Sequence, residues 1–335
     1  MTNANGHNFG DEASPLLVSF AAGANLSILD FNGLHYGSTR LELAARLNRT
    51  SVLWGLGSLL QHYFRSQPTV DRRHRTGLPK DAGPDVAWGT GCKDTAETLT
   101  QIVRVGGPEA FAPRRSRDRW AAELDVCAVR GPLTAKLLRA AGARVPDQTP
   151  CGDPALLLPW LYPRCFRACA PKRRACFVPH FSERRIKGSG APLAEAARLG
   201  VAVPAAAAGP EAVLLFLLDC AFVLSSSLHG VIFAESFGIP ARWVRPQSHE
   251  SLAKYYDYFW CTGRRTPTFA PNVSEALVMG PEGPFSPDAD GRALYAAFPR
   301  ERVRGCTSNA ELPQLLAAFA QPIGQRRRCT GEMPP

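Results

Sequence analysis

Three serines, a histidine and a glycine stand together as Ser225, Ser226, Ser227, His229 and Gly230 in the run SSSLHG. Hydroxyls bind anions, and an imidazole moves protons near neutral pH. The run could therefore hold a phosphate and protonate the molecule that carries it. The apolar residues 221–224 before it predict a buried parallel strand, and residues 230–237 predict the start of a helix. In an α/β sheet, ligands bind where a strand's carboxyl end turns into a helix, because the helix's first N–H groups converge there on an anion. The same residues also fit plain capping, with the serines capping the start of the helix and His229 a satisfied, half-buried histidine.

Other segments offer comparable chemistry. Asn8, Gly10 and Asp11 precede an apolar stretch that begins Ser14-Pro15 and continues as a helix. Gly10 would let the backbone approach a ligand, and Asp11 would cap the helix or bind an acceptor hydroxyl. A strand over residues 50–54 ends in Gly55, Gly57 and Ser58, and a strand over 85–88 ends in Gly89, Thr90 and Gly91. Two such turns predict backbone amides lining one crevice. A third strand, over residues 126–129, delivers Arg130 to its carboxyl end, where a guanidinium fork holds a carboxylate or phosphate through paired hydrogen bonds, or else makes a surface salt bridge. Pro132 then starts a helix that Gly142 ends. Asp153 precedes Pro154 in an extended or turn conformation, and a strand over 175–178 leads to His180. After the SSSLHG run come a strand over 241–244 and an amphipathic helix over 249–264, from which Lys254 and Tyr258 point to the crevice or pack as core. The stretch from residue 265 to about 287 predicts a loop, and residues 311–319 a last helix before a disordered tail.

SSSLHGVIFAESFGIP (225–240) is similar to the signature of the polysaccharide pyruvyl transferase family, which moves the pyruvyl group of phosphoenolpyruvate onto a saccharide. Six further blocks match in order: HNFGDEASPLLV (7–18), VLWGLGSLL (52–60), VAWGTGC (86–92), VCAVRGPLTAKLL (126–138), CGDPALLLP (151–159) and VPHF (178–181). The resemblance runs from about residue 7 to about residue 264, and within the family the chain resembles most the bacterial exopolysaccharide ketal-pyruvate transferases. It implies an α/β fold of two Rossmann-like domains facing across a crevice, as in GT-B-like glycosyltransferases. Residues 1–163 would form the acceptor side, 174–300 the donor half with SSSLHG, and 301–335 a final helix and basic tail. Family members carry a strand before the first block; only six residues precede His7 here, so either that strand is short or missing or the sequence starts downstream of it.

The resemblance also implies roles. Arg130 would hold the donor and His229 would contact its phosphate or act as general acid, with no metal and no cofactor beyond phosphoenolpyruvate as donor substrate. Asn8, Gly10, Asp11, the two glycine turns, Asp153, His180, Ser225 to Ser227, Leu228, Gly230, Glu235 and Lys254 would bind substrate. Some relatives have an arginine where Ser227 stands, so phosphate neutralisation is expected elsewhere, at Lys254. On this reading Arg130→Ala, like His229→Ala, lowers turnover and leaves folding intact. Two other classes stay open. One is a nucleotide-sugar-dependent GT-B glycosyltransferase, with Glu235 on a ribose. The other is a non-catalytic polyanion- or carbohydrate-binding relative.

Composition bounds these choices. A chain of 335 residues that is 45% hydrophobic is long enough for two cores and too apolar to be disordered. No apolar run reaches the length of a transmembrane span, and the first residues lack the basic and apolar regions of a signal peptide. A cytoplasmic protein is expected, soluble or peripheral at the membrane. The formal charge of +10 suits an acidic partner, such as phosphoenolpyruvate and an acidic or lipid-linked saccharide. Nucleic acid is not expected, because the basic clusters lack interleaved aromatics; the insertion at 104–120, with Arg114, Arg115 and Arg117, could instead face an acidic acceptor. The ten cysteines are expected as free buried thiols. Cys165, Cys169, Cys176 and His180 have a spacing that could supply zinc, but without a CxxC pair.

Overall fold

The computed structural model describes residues 8–22, 53–54, 85–92, 121–122, 124–162, 173–248, 250–282 and 288–300. Short apolar runs joined by helices pair in parallel, and here they form two three-stranded sheets. β1 (Leu53–Trp54), β2 (Asp85–Ala87) and β3 (Leu124–Val126) lie side by side in that order. β4 (Arg173–Val178), β5 (Cys220–Ser225) and β6 (Ala241–Trp243) form the second sheet. The mixed content and parallel pairing are those of an α/β protein.

Isolated bridges widen the second sheet: Ala202 pairs with Cys176 of β4, and Ala270 pairs with Val244 just past β6. The spatial order is then Ala202, β4, β5, β6, Ala270. From β4 the chain goes first to one side, to Ala202, and then returns to the other side as β5. Connections that diverge in this way leave a crevice at the carboxyl ends of the two central strands, and that crevice is where open α/β sheets bind ligands.

The helices are α1 (Phe9–Ala22), α2 (Pro132–Ala140), α3 (Leu158–Leu161), α4 (Pro192–Arg198), α5 (Pro210–Leu218), α6 (Leu228–Ser236), α7 (Ala253–Cys261), α8 (Val273–Met279) and α9 (Asp288–Ala296). Two 3-10 turns, Pro154–Leu157 and Phe181–Arg185, precede α3 and α4. Sequence expectation and structure differ in places. α1 begins at Phe9, so Gly10 and Asp11 lie in its first turn and not before it. The third strand ends at Val126, and Val129 keeps only a bridge to Cys151. α7 is shorter than the expected 249–264. α8 occupies an expected loop, because the Asn272 side chain accepts the Glu275 N–H (2.8 Å) and Gly280, at φ 69°, ends the helix. The helix expected at 311–319, the basic insertion at 104–120 and the tail lie outside the described residues.

α6 is buried along its whole length. An apolar helix of this kind must be surrounded, and α1, α3, α5, α7, α9 and the Pro154–Leu157 turn share one core cluster with it and the second sheet. Ala13, Leu17 and Ala21, four residues apart on α1, are fully buried. Trp88, just past β2, belongs to the same cluster; its Nε1 donates to the Leu294 carbonyl (2.8 Å) and its ring meets Phe298 edge-on at 4.9 Å. Trp88 and Ala128 thus reach into the second sheet's core, while Ala87, Leu124 and Val126 of the first sheet pack against α2 in a cluster of their own.

Disulfides join Cys151 to Cys261 and Cys176 to Cys220, whereas Cys92 and Cys127 keep their thiols. The expectation of free thiols therefore fails for four cysteines. The pairing also takes Cys176 out of the zinc spacing, whose Cys165 and Cys169 lie outside the described residues. Among the described residues no helix is long and apolar enough to cross a membrane, and no cluster of three or more His, Cys, Asp or Glu side chains could hold a metal.

Candidate functional site

The SSSLHG turn leaves β5 at the crevice, but its three hydroxyls do different things. Ser225 Oγ sits between the Val178 and Ser227 carbonyls (2.9 and 2.8 Å) and accepts the Ser227 N–H (3.0 Å). Ser226 Oγ accepts the His180 N–H (3.0 Å) and donates to Glu183. Both therefore tie β5 to β4. Ser227 alone lines the crevice pocket, and its hydroxyl makes no capping bond to α6. Leu228 is buried in the core, and a Cβ on Gly230 would collide with Ser225 Oγ and Val178, so this glycine permits the tight exit from β5.

His229 lies in the first turn of α6, with its side chain 11% exposed. Its ring is held from two sides. A Cβ on Gly10 would overlap the imidazole at Nδ1, so the first turn of α1 rests directly against the ring. On the other side, Asp153 Oδ2 lies 3.7 Å from Nε2. Asp153 is fully buried; its Oδ1 accepts the Ala155 N–H (3.0 Å), and its Oδ2 has no hydrogen bond. A buried carboxylate oxygen without a donor is costly unless a charge answers it, and the imidazole is what it faces. Gly10→Ala should push the ring off this partner. Since displacement of about 1 Å can cost about 100-fold in rate, its turnover should fall on that order, as steady-state kinetics beside a melting curve would show. Unchanged turnover would remove the contact from the site.

Arg130 is placed otherwise than the sequence suggested. Its side chain is 1% exposed and does not reach an open crevice. Nη2 donates to the Cys92 carbonyl (3.0 Å), and Nε lies 3.3 Å from Asp257 Oδ2 on α7. Gly91 gives way for the guanidinium, because a Cβ there would collide with it. Asp257 also accepts the N–H and hydroxyl of Thr134 on α2 (3.1 and 2.6 Å). Burial raises the Asp257 pKa, against the Arg130 charge and the Thr134 hydrogen bonds. Arg130 thus fastens β3's exit, α2 and α7 together. Gly89, at φ 71°, makes the turn beside it, and Thr90 accepts the Arg130 N–H through its carbonyl (3.1 Å).

A third group closes the crevice at β4. Lys254 Nζ lies 3.0 Å from Glu250 Oε1 and 3.3 Å from His180 Nε2, and His180 Nδ1 meets Ser182 Oγ at 2.7 Å. Lys254, expected to neutralise phosphate, is thus already ion-paired. Glu235, the candidate ribose ligand, accepts from Tyr258 OH (2.7 Å) and from Arg264 Nη2 (3.0 Å), while Arg264 Nη1 reaches its other oxygen. Asn8 lines the pocket with Ser227. The Asp11 side chain and Gly55, Gly57 and Ser58 lie outside what is described.

The geometry is therefore a histidine and a buried carboxylate beside a switch-point crevice. Known proteins can be set against it. Residues 110–248 match the polysaccharide pyruvyl transferase family model. The matched segment contains Arg130, Asp153, His180 and the whole SSSLHG turn, and over those residues it bears out the resemblance read from the sequence. The chain is also 49% identical over 45 residues to an uncharacterized protein of Acanthamoeba polyphaga mimivirus. That similarity covers 12% of the chain and only 16% of the viral protein's length.

Glu183, a residue the sequence did not single out, organises the crevice from β4. It accepts from the His180 and Gln247 N–H groups (3.0 and 2.6 Å) and from Ser226. Burial holds its pKa above the ordinary 4.5, while the hydrogen bonds of Ser226, Gln247 and His180 and the Lys254 charge pull it down. The folded state then binds this proton more tightly than the unfolded chain does. Its contribution to stability is full below about pH 4.5 and is lost as pH rises through the raised folded value. The thermal midpoint of the wild type, relative to Glu183→Gln, should therefore fall as pH climbs from 4.5. A difference that grows with pH would contradict this.

Proposed function

We propose that the protein transfers the pyruvyl group of phosphoenolpyruvate to two hydroxyls of one sugar in a polysaccharide or its precursor, giving a cyclic ketal and phosphate. The observation that carries this reading is the His229 imidazole, held between the Gly10 backbone and the buried Asp153 carboxylate beside the crevice. His229 protonates the methylene carbon of the donor, and Asp153 supplies the counter-charge to the imidazolium. The adjacent carbon becomes oxocarbenium-like and is attacked by the first hydroxyl, which gives up its proton. Phosphate then leaves, and the second hydroxyl closes the ring.

Arg130 is a positioning residue in this scheme, since its pair with Asp257 fixes α7, the helix that carries Lys254. Residues 174–300 would form the donor half and residues 1–163 the acceptor half of a GT-B-like pair. The acceptor would be an acidic or lipid-linked saccharide. A cytoplasmic enzyme, soluble or peripheral at the membrane, would work where Cys151–Cys261 and Cys176–Cys220 open to thiols.

The nucleotide-sugar reading leaned on Glu235, whose two oxygens are taken by Arg264 and Tyr258. Thermal-shift measurements separate the readings: phosphoenolpyruvate should raise the midpoint, and UDP- and GDP-sugars should not. Stabilisation by a nucleotide sugar alone overturns the proposal. Salt-sensitive polyanion binding without any donor binding would favour the non-catalytic alternative.

A further inference from the structure

One cation at the crevice has no part in the reaction as drawn. Arg184, in the last residues of the turn Phe181–Arg185, is half-buried in the wall of a small, partly open pocket, which it shares with Ser227, Asn8, Pro179, Phe181 and Ala205. Apart from Asn8, which precedes α1, these come from the loops after β4, after Ala202 and after β5, so this pocket lies in the switch-point crevice. Three buried cations of the neighbouring elements are ion-paired, Arg130 by Asp257, Arg264 by Glu235 and Lys254 by Glu250, and Arg242 on β6 spends its donors on the Gly280 carbonyl and the Thr268 hydroxyl away from this pocket's wall. Arg184 has no acidic partner within ion-pair distance among the described residues. Its Nη2 donates to the Pro204 and Ala205 carbonyls (2.9 and 3.4 Å). Burial draws its pKa below the ordinary value, with no opposing charge.

Partial desolvation of a guanidinium without a counter-ion carries a cost that an anion would offset. The carbonyls anchor one nitrogen of the fork, which leaves Nε and Nη1 as donors for a ligand. We propose that Arg184 binds a phosphate-monoester dianion in this pocket, with Ser227 and Asn8 beside it. Applied to the reaction above, on which this identification of the ligand rests, the anion is the phosphoryl group of phosphoenolpyruvate. Ser227 on the pocket wall is two residues before His229, and Phe9 on the same wall precedes Gly10, whose backbone meets the imidazole. A donor seated there would bring its enol carbon toward the imidazole.

The test is calorimetric titration of inorganic phosphate, phosphoenolpyruvate and pyruvate into the full chain. Arg184→Gln should weaken phosphate and phosphoenolpyruvate by about ten- to hundredfold, the range for a charge-assisted hydrogen bond, and leave pyruvate unaffected. Ala205 is exposed beside Arg184; Ala205→Glu should weaken both phosphates in the same way, and it decides the matter if Arg184→Gln does not fold. Phosphate affinity within about twofold of wild type in a folded Arg184→Gln protein, or no phosphate binding by the wild type, overturns the proposal. Arg184-dependent binding of inorganic phosphate by a wild type that ignores phosphoenolpyruvate upholds the anion site and sinks the pyruvyl reading. Ketal formation with an Arg184→Gln protein that binds as wild type does the reverse.

Discussion

His229→Ala is expected to slow phosphate release from phosphoenolpyruvate and acceptor by about 100- to 10,000-fold, the usual contribution of a positioned general acid. The effect should appear in kcat, because the ring's partners are Gly10 and Asp153 and the neighbouring pocket wall is untouched. The thermal midpoint should hold or fall slightly, since the buried Asp153 carboxylate loses the imidazole it faces. Asp153→Asn should lower turnover in the same direction by a smaller factor. It keeps an oxygen for the Ala155 N–H and removes only the charge facing Nε2. A kinetic pH profile of Asp153→Asn that matches the wild type would mean that the carboxylate does not act through His229.

Arg130→Ala is expected to fail first as a fold. Removing the guanidinium leaves Asp257 fully buried, with the Thr134 hydrogen bonds and no counter-charge. Breaking a buried pair from one side costs about 3–5 kcal/mol, which for a chain of this size lowers the melting midpoint on the order of 10 °C. Asp257→Ala should cost a similar amount by stranding the cation. The double variant should cost much less than the sum of the singles, because neither charge is left alone. Circular-dichroism melts of the three variants check this. A midpoint for Arg130→Ala within 1–2 °C of wild type would show that the pair carries no stability, and would return Arg130 to the role of a donor ligand.

Much of the second sheet was legible because its signals are local. An apolar run, a polar tip and an apolar helix succeed one another at residues 221–237, and the same pattern put His180 at the end of β4. What a polar tip touches is not local. Ser225 and Ser226 look identical to Ser227 in the sequence, yet their hydroxyls are taken by Val178, His180 and Glu183 from the neighbouring strand's exit. Arg130 and Asp257 lie far apart along the chain, so nothing near either residue distinguished a buried tie from an open clamp. α8 was hidden by the prolines around it, although the Asn272 cap and Gly280 were both visible. Arg184 sits in the basic run ERR, where a solvated surface is the ordinary reading; its burial depends on the alanine-rich loop folding over it.

The central claim is that His229 protonates a phosphoenolpyruvate held at the switch point of the second sheet. Wild-type protein and His229→Ala, each with phosphoenolpyruvate and a panel of β-galactosides, β-glucosides and β-mannosides, provide the most direct measurement, with phosphate release and saccharide mass followed together. The account predicts that the wild type releases one phosphate for each saccharide that gains pyruvate less water, and that the variant does neither at a comparable rate. Wild-type rates of phosphate release from His229→Ala would contradict it.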